Sequence, residues 1–163
     1  MKFRFWKKYI TARAVIVSDG KLLVFHRKRR DNSGNWIEYY SIPGGQLDAH
    51  ETPEMAAVRE LKEEMGVDIR LKGQIAHSKG KYFEHYIFAA DIKSGEPQLM
   101  EDSEEARRYR NDSNQYHVMW VPVDELTREN LKFYGAFYEH IVAVAAGKGI
   151  DEIAKLDVQS GVY

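Results

Sequence analysis

The sequence predicts an α/β fold in which strands flank one well-bracketed helix. Three observations carry this: paired β-branched runs around an Asp-Gly step near the start, a helix marked at both ends, and an apolar stretch of helical period in the last third. The paired runs are residues 11–17 and 22–26, and Ser18-Asp19-Gly20-Lys21 between them is a hairpin turn, so two antiparallel strands are expected. Residues 27–35 are polar and turn-rich and read as a loop. Residues 36–42, aromatic and β-branched, read as a short strand that Pro43-Gly44-Gly45 ends. Thr52 suits an N-cap, Pro53 the first helical turn, and Gly66 the left-handed end of a helix, which brackets a helix over 52–65.

Further along, 67–76 and 81–92 read as strands, with Lys93-Ser94-Gly95-Glu96-Pro97 as a turn. Residues 100–115 are almost wholly polar and predict a loop with a short helix over 103–109, which Ser103 caps. Residues 116–122 alternate as a strand does, and Val123-Asp124-Glu125-Leu126 opens a short helix. Phe137, Tyr138, Ile141, Val142 and Val144 then fall at helical spacing and predict a second long helix over 131–147. The stretch 150–163 carries no clear signal. No internal repeat or linker divides the chain, so one domain over 1–163 is expected, a usual domain size.

Composition narrows the class. Apolar and charged fractions of 44% and 30% are ordinary for a globular protein, and no apolar run is long enough to span a bilayer. Lys2, Arg4, Lys7 and Lys8 interrupt the first ten positions, so no signal-peptide core is expected there. With no cysteine, disulfides and zinc-thiolate chemistry are excluded, and a cytoplasmic location is the expectation. The net charge of −1 hides a basic cluster, Arg27, Lys28, Arg29 and Arg30, and an acidic stretch over 51–64. Such a division suits a metal holding a small anionic ligand better than a nucleic-acid polymer, whose partners are usually basic overall.

The acidic stretch repays a helical wheel. At about 100° per residue, with Glu60 at the origin, Glu63 and Glu64 fall within an arc of roughly 100°, so three carboxylates share a face. Val58, Leu61 and Met65, with Met55 to one side, form a separate apolar stripe to bury against a sheet. Like charges at these spacings destabilise an isolated helix unless something compensates, and a divalent cation that takes hard oxygen ligands, Mg²⁺, Mn²⁺ or Ca²⁺, supplies that compensation. Pro43-Gly44-Gly45 lets backbone approach the metal region, and Glu51 with Arg59 can lock the loop to the helix.

The run from Gly45 to Val67 matches G-x5-E-x7-R-E-U-x-E-E-x-G-U at every fixed position, U being a bulky aliphatic residue. The chain therefore resembles the MutT-like Nudix hydrolases, with residues 45–67 as the Nudix box. The resemblance implies an α/β/α sandwich with a mixed β-sheet. It implies that Glu60 and Glu64 bind Mg²⁺, that Glu63 is a further ligand or the water-activating base, and that Gly45 adds its carbonyl. Arg59 and Glu51 would orient the catalytic helix, and Gly66 would end it. The expected substrate is a nucleoside diphosphate joined to a further group, as in a nucleoside triphosphate or oxidised nucleotide; nucleotide sugars, dinucleoside polyphosphates and isoprenoid diphosphates are alternatives. A non-catalytic nucleotide sensor is disfavoured, because the box carboxylates are all present.

Other positions are weaker candidates. Arg27 or Arg13 can clamp phosphate, and one of Tyr39 and Tyr40, Tyr40 being preferred, can stack on a base while its neighbour enters the core. Among Glu101, Asp102, Glu104 and Glu105, Glu104 is the expected substrate contact, in a loop where some Nudix enzymes place a further ligand or the base. Arg107, Arg108 and Arg110 can meet phosphate from the same loop. The six histidines show no metal-ligand spacing and read as surface or packing residues. Phe3, Phe5, Trp6 and Tyr163 exceed what one small core buries and suggest a homodimer.

Overall fold

The computed structural model describes residues 8–109 and 114–158. Five strands, β1 (Tyr9–Val15), β2 (Val17–Ser18), β3 (Lys21–Arg30), β4 (Trp36–Ser41) and β5 (Gly44–Gln46), precede helix α1 (Pro53–Met65). β6 (Asp68–Lys79), β7 (Phe83–Ser94), α2 (Glu104–Tyr109), β8 (Asn114–Pro122), α3 (Tyr138–Ala145) and α4 (Ile150–Ile153) follow, with 3₁₀ turns at Val123–Glu125 and Lys132–Phe137.

Asp19 and Gly20 take left-handed angles, φ 49° and 72°, as a two-residue hairpin turn requires, but the hairpin joins β2 to β3 rather than the whole of 11–17 to 22–26. The chain changes sheet at Ile16. β1 lies between β5, antiparallel, and β7, parallel, giving a mixed sheet in the order β5-β1-β7-β6. The second sheet is antiparallel, with β3 between β4 and β8 and paired at its start with β2. α1 packs on one side through Leu61 and Met65, against Ala14, Leu23, Phe25 and Tyr116. Leu131, Phe137, Ile141 and Ile153, from the 3₁₀ turn and helices α3 and α4, cover the other side, against Val15, Val24, Ile42 and Ile87. The result is the expected α/β/α sandwich.

Three expectations are corrected. Arg27, Lys28, Arg29 and Arg30 belong to β3, not to a loop, because pairing to β8 on one edge runs to Arg29 and pairing to β4 on the other runs to Arg30. Gly44–Gln46 does not merely end a strand; it is one, paired with Thr11, Ala12 and Arg13. The long helix over 131–147 divides into a 3₁₀ turn and an eight-residue α3. Its first part is held against the Arg128 backbone: a Cβ on Gly135 would lie 2.6 Å from the Arg128 carbonyl oxygen, and Arg128 Nη1 donates to the Gly135 carbonyl at 3.1 Å. The unassigned tail contains α4, whose Ile153 is buried and whose Ile150 lies over Gly73 of β6. No described helix is long and apolar enough to cross a membrane. Phe3, Phe5, Trp6, Arg110 and Tyr163 lie outside the described residues.

Candidate active site

Thr52 caps α1, its hydroxyl accepting from Met55 N at 3.2 Å, and Gly66 ends the helix at φ 70°. The helix buries Ala56, Ala57, Leu61, Glu64 and Met65, while Met55 and Val58 are 57% and 39% exposed. The apolar stripe is thus rotated from the expected one. Two alanines let α1 sit close to Ala12 and Phe88, and this rotation carries Glu64 to the buried side, with Glu60 at its edge. The acidic face is not uniformly solvated.

The loop before the helix is shaped to meet these carboxylates. Gly44 N donates to Glu64 Oε2 at 2.9 Å. Gly44 has φ 134°, and a Cβ there would collide with the Ala12 carbonyl oxygen and the Arg13 backbone. A Cβ on Gly45 would sit 2.5 Å from the Glu60 carboxyl, so a glycine is needed for the carboxylate to lie against the backbone. Arg13 Nη1 donates to the carbonyls of Ile42 and Gly44 at 2.6 and 3.0 Å, and its guanidinium lies 4.8 Å from the Tyr134 ring centre.

Arg59 joins loop and helix. It donates to both oxygens of Glu51, Nε to Oε1 at 2.8 Å and Nη2 to Oε2 at 2.9 Å, and to the Gln46 carbonyl at 3.0 Å. The same guanidinium reaches Glu60 and Glu63, each at 3.1 Å. Bidentate pairing holds Glu51 below, and Arg59 above, their ordinary pKa values. Glu63 is 59% exposed at its side chain.

Among the described residues no cation makes such a pair with Glu64. Burial pushes its pKa well up, Glu105 and Glu60 push it further, and only Arg13 and the Gly44 N–H oppose them. Glu60 is raised for the same first reason, with Glu63 and Glu105 adding to it against Arg59. Of the loop carboxylates, Glu105, on α2, is the one whose charge reaches Glu60 and Glu64. Glu104, the one expected, pairs instead with Arg108 one helical turn away. No sequence feature separates these neighbours; only the direction of α2 does.

Arg27 stands on the same face of β3 as Phe25, beside Tyr116 of β8 and Tyr39 of β4. Its guanidinium lies 4.1 Å from the Tyr116 ring centre and donates to Asn114 Oδ1 at 3.0 Å, and its Nε is buried without a partner. Strand pleating puts Tyr39 on that face and Tyr40 on the other, against the core with Ile42. Tyr39 rather than Tyr40 is thus the aromatic beside Arg27.

Among the described residues no three carboxylate or histidine side chains converge tightly enough to hold an ion, since Glu60 and Glu63 turn toward Arg59. Two features nevertheless fit a divalent cation: the side-chain-free wall of Gly45 against Glu60, and the mutual elevation of Glu60 and Glu64 beside Glu105.

An α/β/α sandwich with an acidic helix locked to a glycine loop defines a class, and the comparisons identify it. The NUDIX domain model matches residues 8–142, so the chain belongs to the Nudix family. It is a hydrolase acting on acid anhydrides, with a small phosphorylated compound as substrate, in a family that generally uses divalent metal ions. An oxidized purine nucleoside triphosphate hydrolase of Danio rerio is 28% identical over 93% of this chain and 99% of its own length. An 8-oxo-dGTP diphosphatase of Proteus vulgaris is 35% identical, the match covering 39% of this chain and 54% of that protein. A Nudix hydrolase structure from Nitrosomonas europaea superposes with a TM-score of 0.62 over 90% of this chain and 77% of that one, at 14% identity, which bears on fold alone.

Proposed function

We propose that this single-domain chain is a cytoplasmic, Mg²⁺-dependent Nudix hydrolase, with Mn²⁺ as a substitute. Its substrate is a nucleoside diphosphate joined to a further group, of the nucleoside triphosphate or oxidised nucleotide class. The observation that carries the reading is Glu64, buried and elevated beside Glu60 and Glu105 with no cation paired to it. The names of the Danio rerio and Proteus vulgaris relatives support the substrate class.

In this reading Glu60, Glu64 and the Gly45 carbonyl hold the cation, with Glu63 and Glu105 at its margin. When bound, the ion neutralises charge on the diphosphate oxygens and eases removal of a proton from the attacking water. Glu105 or Glu63 accepts that proton, being a carboxylate that no backbone N–H ties down. Arg59, clamped by Glu51, fixes the helix relative to the Gly44-Gly45 strand, and Gly66 stops the helix where β6 begins. Arg13 holds the carbonyls of the loop. Arg27 meets the anionic substrate, with the Tyr39 ring packed beside its guanidinium.

Turnover of nucleoside triphosphates, oxidised nucleotides, nucleotide sugars and dinucleoside polyphosphates, with Mg²⁺ or EDTA, tests this. Metal-dependent release of phosphate, pyrophosphate or nucleoside monophosphate, lost in Glu64→Gln, is expected. Metal-independent turnover, or turnover unchanged in the variant, overturns it.

A further inference from the structure

A second charged group, apart from the carboxylates of α1, surrounds Tyr39 of β4. Arg29 Nε donates to the Tyr39 hydroxyl at 3.2 Å, and the guanidinium carbons of Arg27 and Arg29 lie 5.5 and 5.8 Å from the centre of the Tyr39 ring. Lys132 Nζ approaches the same ring at 5.7 Å and that of Phe133 at 5.4 Å. The Phe133 ring meets Tyr39 edge-on. Among the described residues, none of Arg27, Arg29 and Lys132 makes an ion pair with a carboxylate. Nine other described cations do: Lys8, Lys28, Arg59, Lys62, Arg70, Lys72, Arg108, Arg128 and Lys148.

Three cations around one buried phenol repel one another, and cation–π contact offsets only part of that. Their aromatic contacts also answer what the surface offers. The Tyr39 ring is already occupied by guanidinium, ammonium and the Phe133 edge, so it presents charge outward rather than a free face for a base.

Tyr39 and Ser41 share one side of β4, and Arg13 connects the neighbouring Tyr134 to the glycine loop: its guanidinium lies 4.8 Å from the Tyr134 ring centre and donates to the Gly44 carbonyl at 3.0 Å. Gly44 follows a few positions later.

We propose that Arg27, Arg29 and Lys132 form a second anion subsite, which takes a phosphate of the substrate beyond the diphosphate held at Glu60 and Glu64. The inference rests on the proposed function and narrows its substrate: a diphosphate bearing a further phosphate is preferred over one whose remaining part is neutral. That phosphate has two possible sources, the polyphosphate chain itself or a phosphorylated ribose.

Calorimetry with Mg²⁺ tests both sources with ligand pairs. One pair is methylene-bridged diphosphate and methylene-bridged triphosphate; the other is adenosine 5′-diphosphate with and without a 3′-phosphate. In at least one pair the extra phosphate is expected to tighten binding roughly ten-fold, as a charge-assisted contact does. That ratio should collapse toward one in Arg29→Gln/Lys132→Gln, and partly in Lys132→Gln alone, a change on a surface turn that the fold tolerates. The pair that shows the gain identifies the source. Diphosphates that bind without gain in either pair, or a gain that survives the double variant, overturn the subsite and leave the proposed function standing. Loss of all diphosphate binding overturns both.

Discussion

Glu64 and Glu84 both expose little surface, 5% and 7%, but Glu64 lies deep and Glu84 just beneath the surface, and their carboxyls are displaced in opposite directions. Glu84 pairs with Lys8 at 2.9 Å and with His77 at 2.8 Å, accepts from the Tyr86 hydroxyl at 2.9 Å, and is lowered to about 2. Glu64 receives one backbone N–H and is surrounded by further carboxylates. A shallow carboxylate on β7 is thus satisfied by its partners, and a deep one on α1 is not. Removing water from a charge is costly unless a partner replaces it, so Glu64 carries a penalty that a cation from solution would relieve.

Exchanging each carboxylate for its amide separates the two most sharply. Glu64→Gln is expected to lower kcat roughly 10²–10³-fold, the scale of losing one preorganised electrostatic contact, while its melting temperature in EDTA stays level or rises. Glu84→Gln should do the reverse, destabilising by about 2 kcal/mol because Lys8 and His77 lose their partner, with kcat kept within about two-fold. Steady-state kinetics beside thermal melts read both. If Glu84→Gln also abolished turnover, the contrast between structural and functional burial would fail.

Mg²⁺ gives the next largest effect. At about one hundred times its Kd, an ion binding only the native state stabilises by about 2.7 kcal/mol. A melting shift of that order in wild type, absent in Glu64→Gln and retained in Glu84→Gln, assigns the cation to the unsatisfied carboxylate. A shift of equal size in both variants would move the ion elsewhere.

The opposite displacements also predict opposite pH dependence. Glu84 is depressed from 4.5 to about 2, so its contribution is fully present above 4.5 and is lost as pH falls toward 2. Glu60 and Glu64 are raised, so the penalty for their charge is present above their native pKa and is relieved as pH falls through it. Urea denaturation between pH 3 and 8, in EDTA, should therefore show an acid limb that flattens in Glu84→Gln. The loss of stability on the way to neutrality should shrink in Glu64→Gln, and Mg²⁺ should remove it in wild type. An acid limb unchanged in Glu84→Gln would refute the pairing.

What the sequence revealed divides along the same line. Helix α1 was legible to within one residue, 52–65 expected and Pro53–Met65 found, because Thr52, Pro53 and Gly66 are local signals, and the Gly45-to-Val67 spacing marks the proposed site because a helix and its preceding loop are close in sequence. The wheel misplaced the buried stripe, since it weighs Met55 and Val58 by hydropathy, whereas close approach to β1 and β7 selects the small Ala56 and Ala57. The sheet change at Ile16 was not legible because 11–17 has no turn residue to interrupt it, and only pairing with β7, far along the chain, divides it. The choice of Tyr39 over Tyr40 depends on strand phase, which an aromatic pair does not reveal by itself.

Glu104 and Glu105 repeat the comparison in miniature, at the smallest scale. Glu104 is two-thirds exposed and bound to Arg108 within one turn of α2, a pair of the kind worth a few tenths of a kcal/mol in water. Glu105, its neighbour, is felt by Glu60 and Glu64. Glu104→Gln should leave kcat within about two-fold and stability within roughly 0.5 kcal/mol, as a surface substitution does. Glu105→Gln should lower kcat about ten-fold or more and ease the elevation of Glu64, so that the pH dependence of kcat/KM moves toward acid. The two variants differ by one position on one short helix, so any defect from loosening α2 appears in both. A loss confined to Glu105→Gln is then a property of the direction in which that carboxylate points, and equal losses would return both residues to a solvated loop.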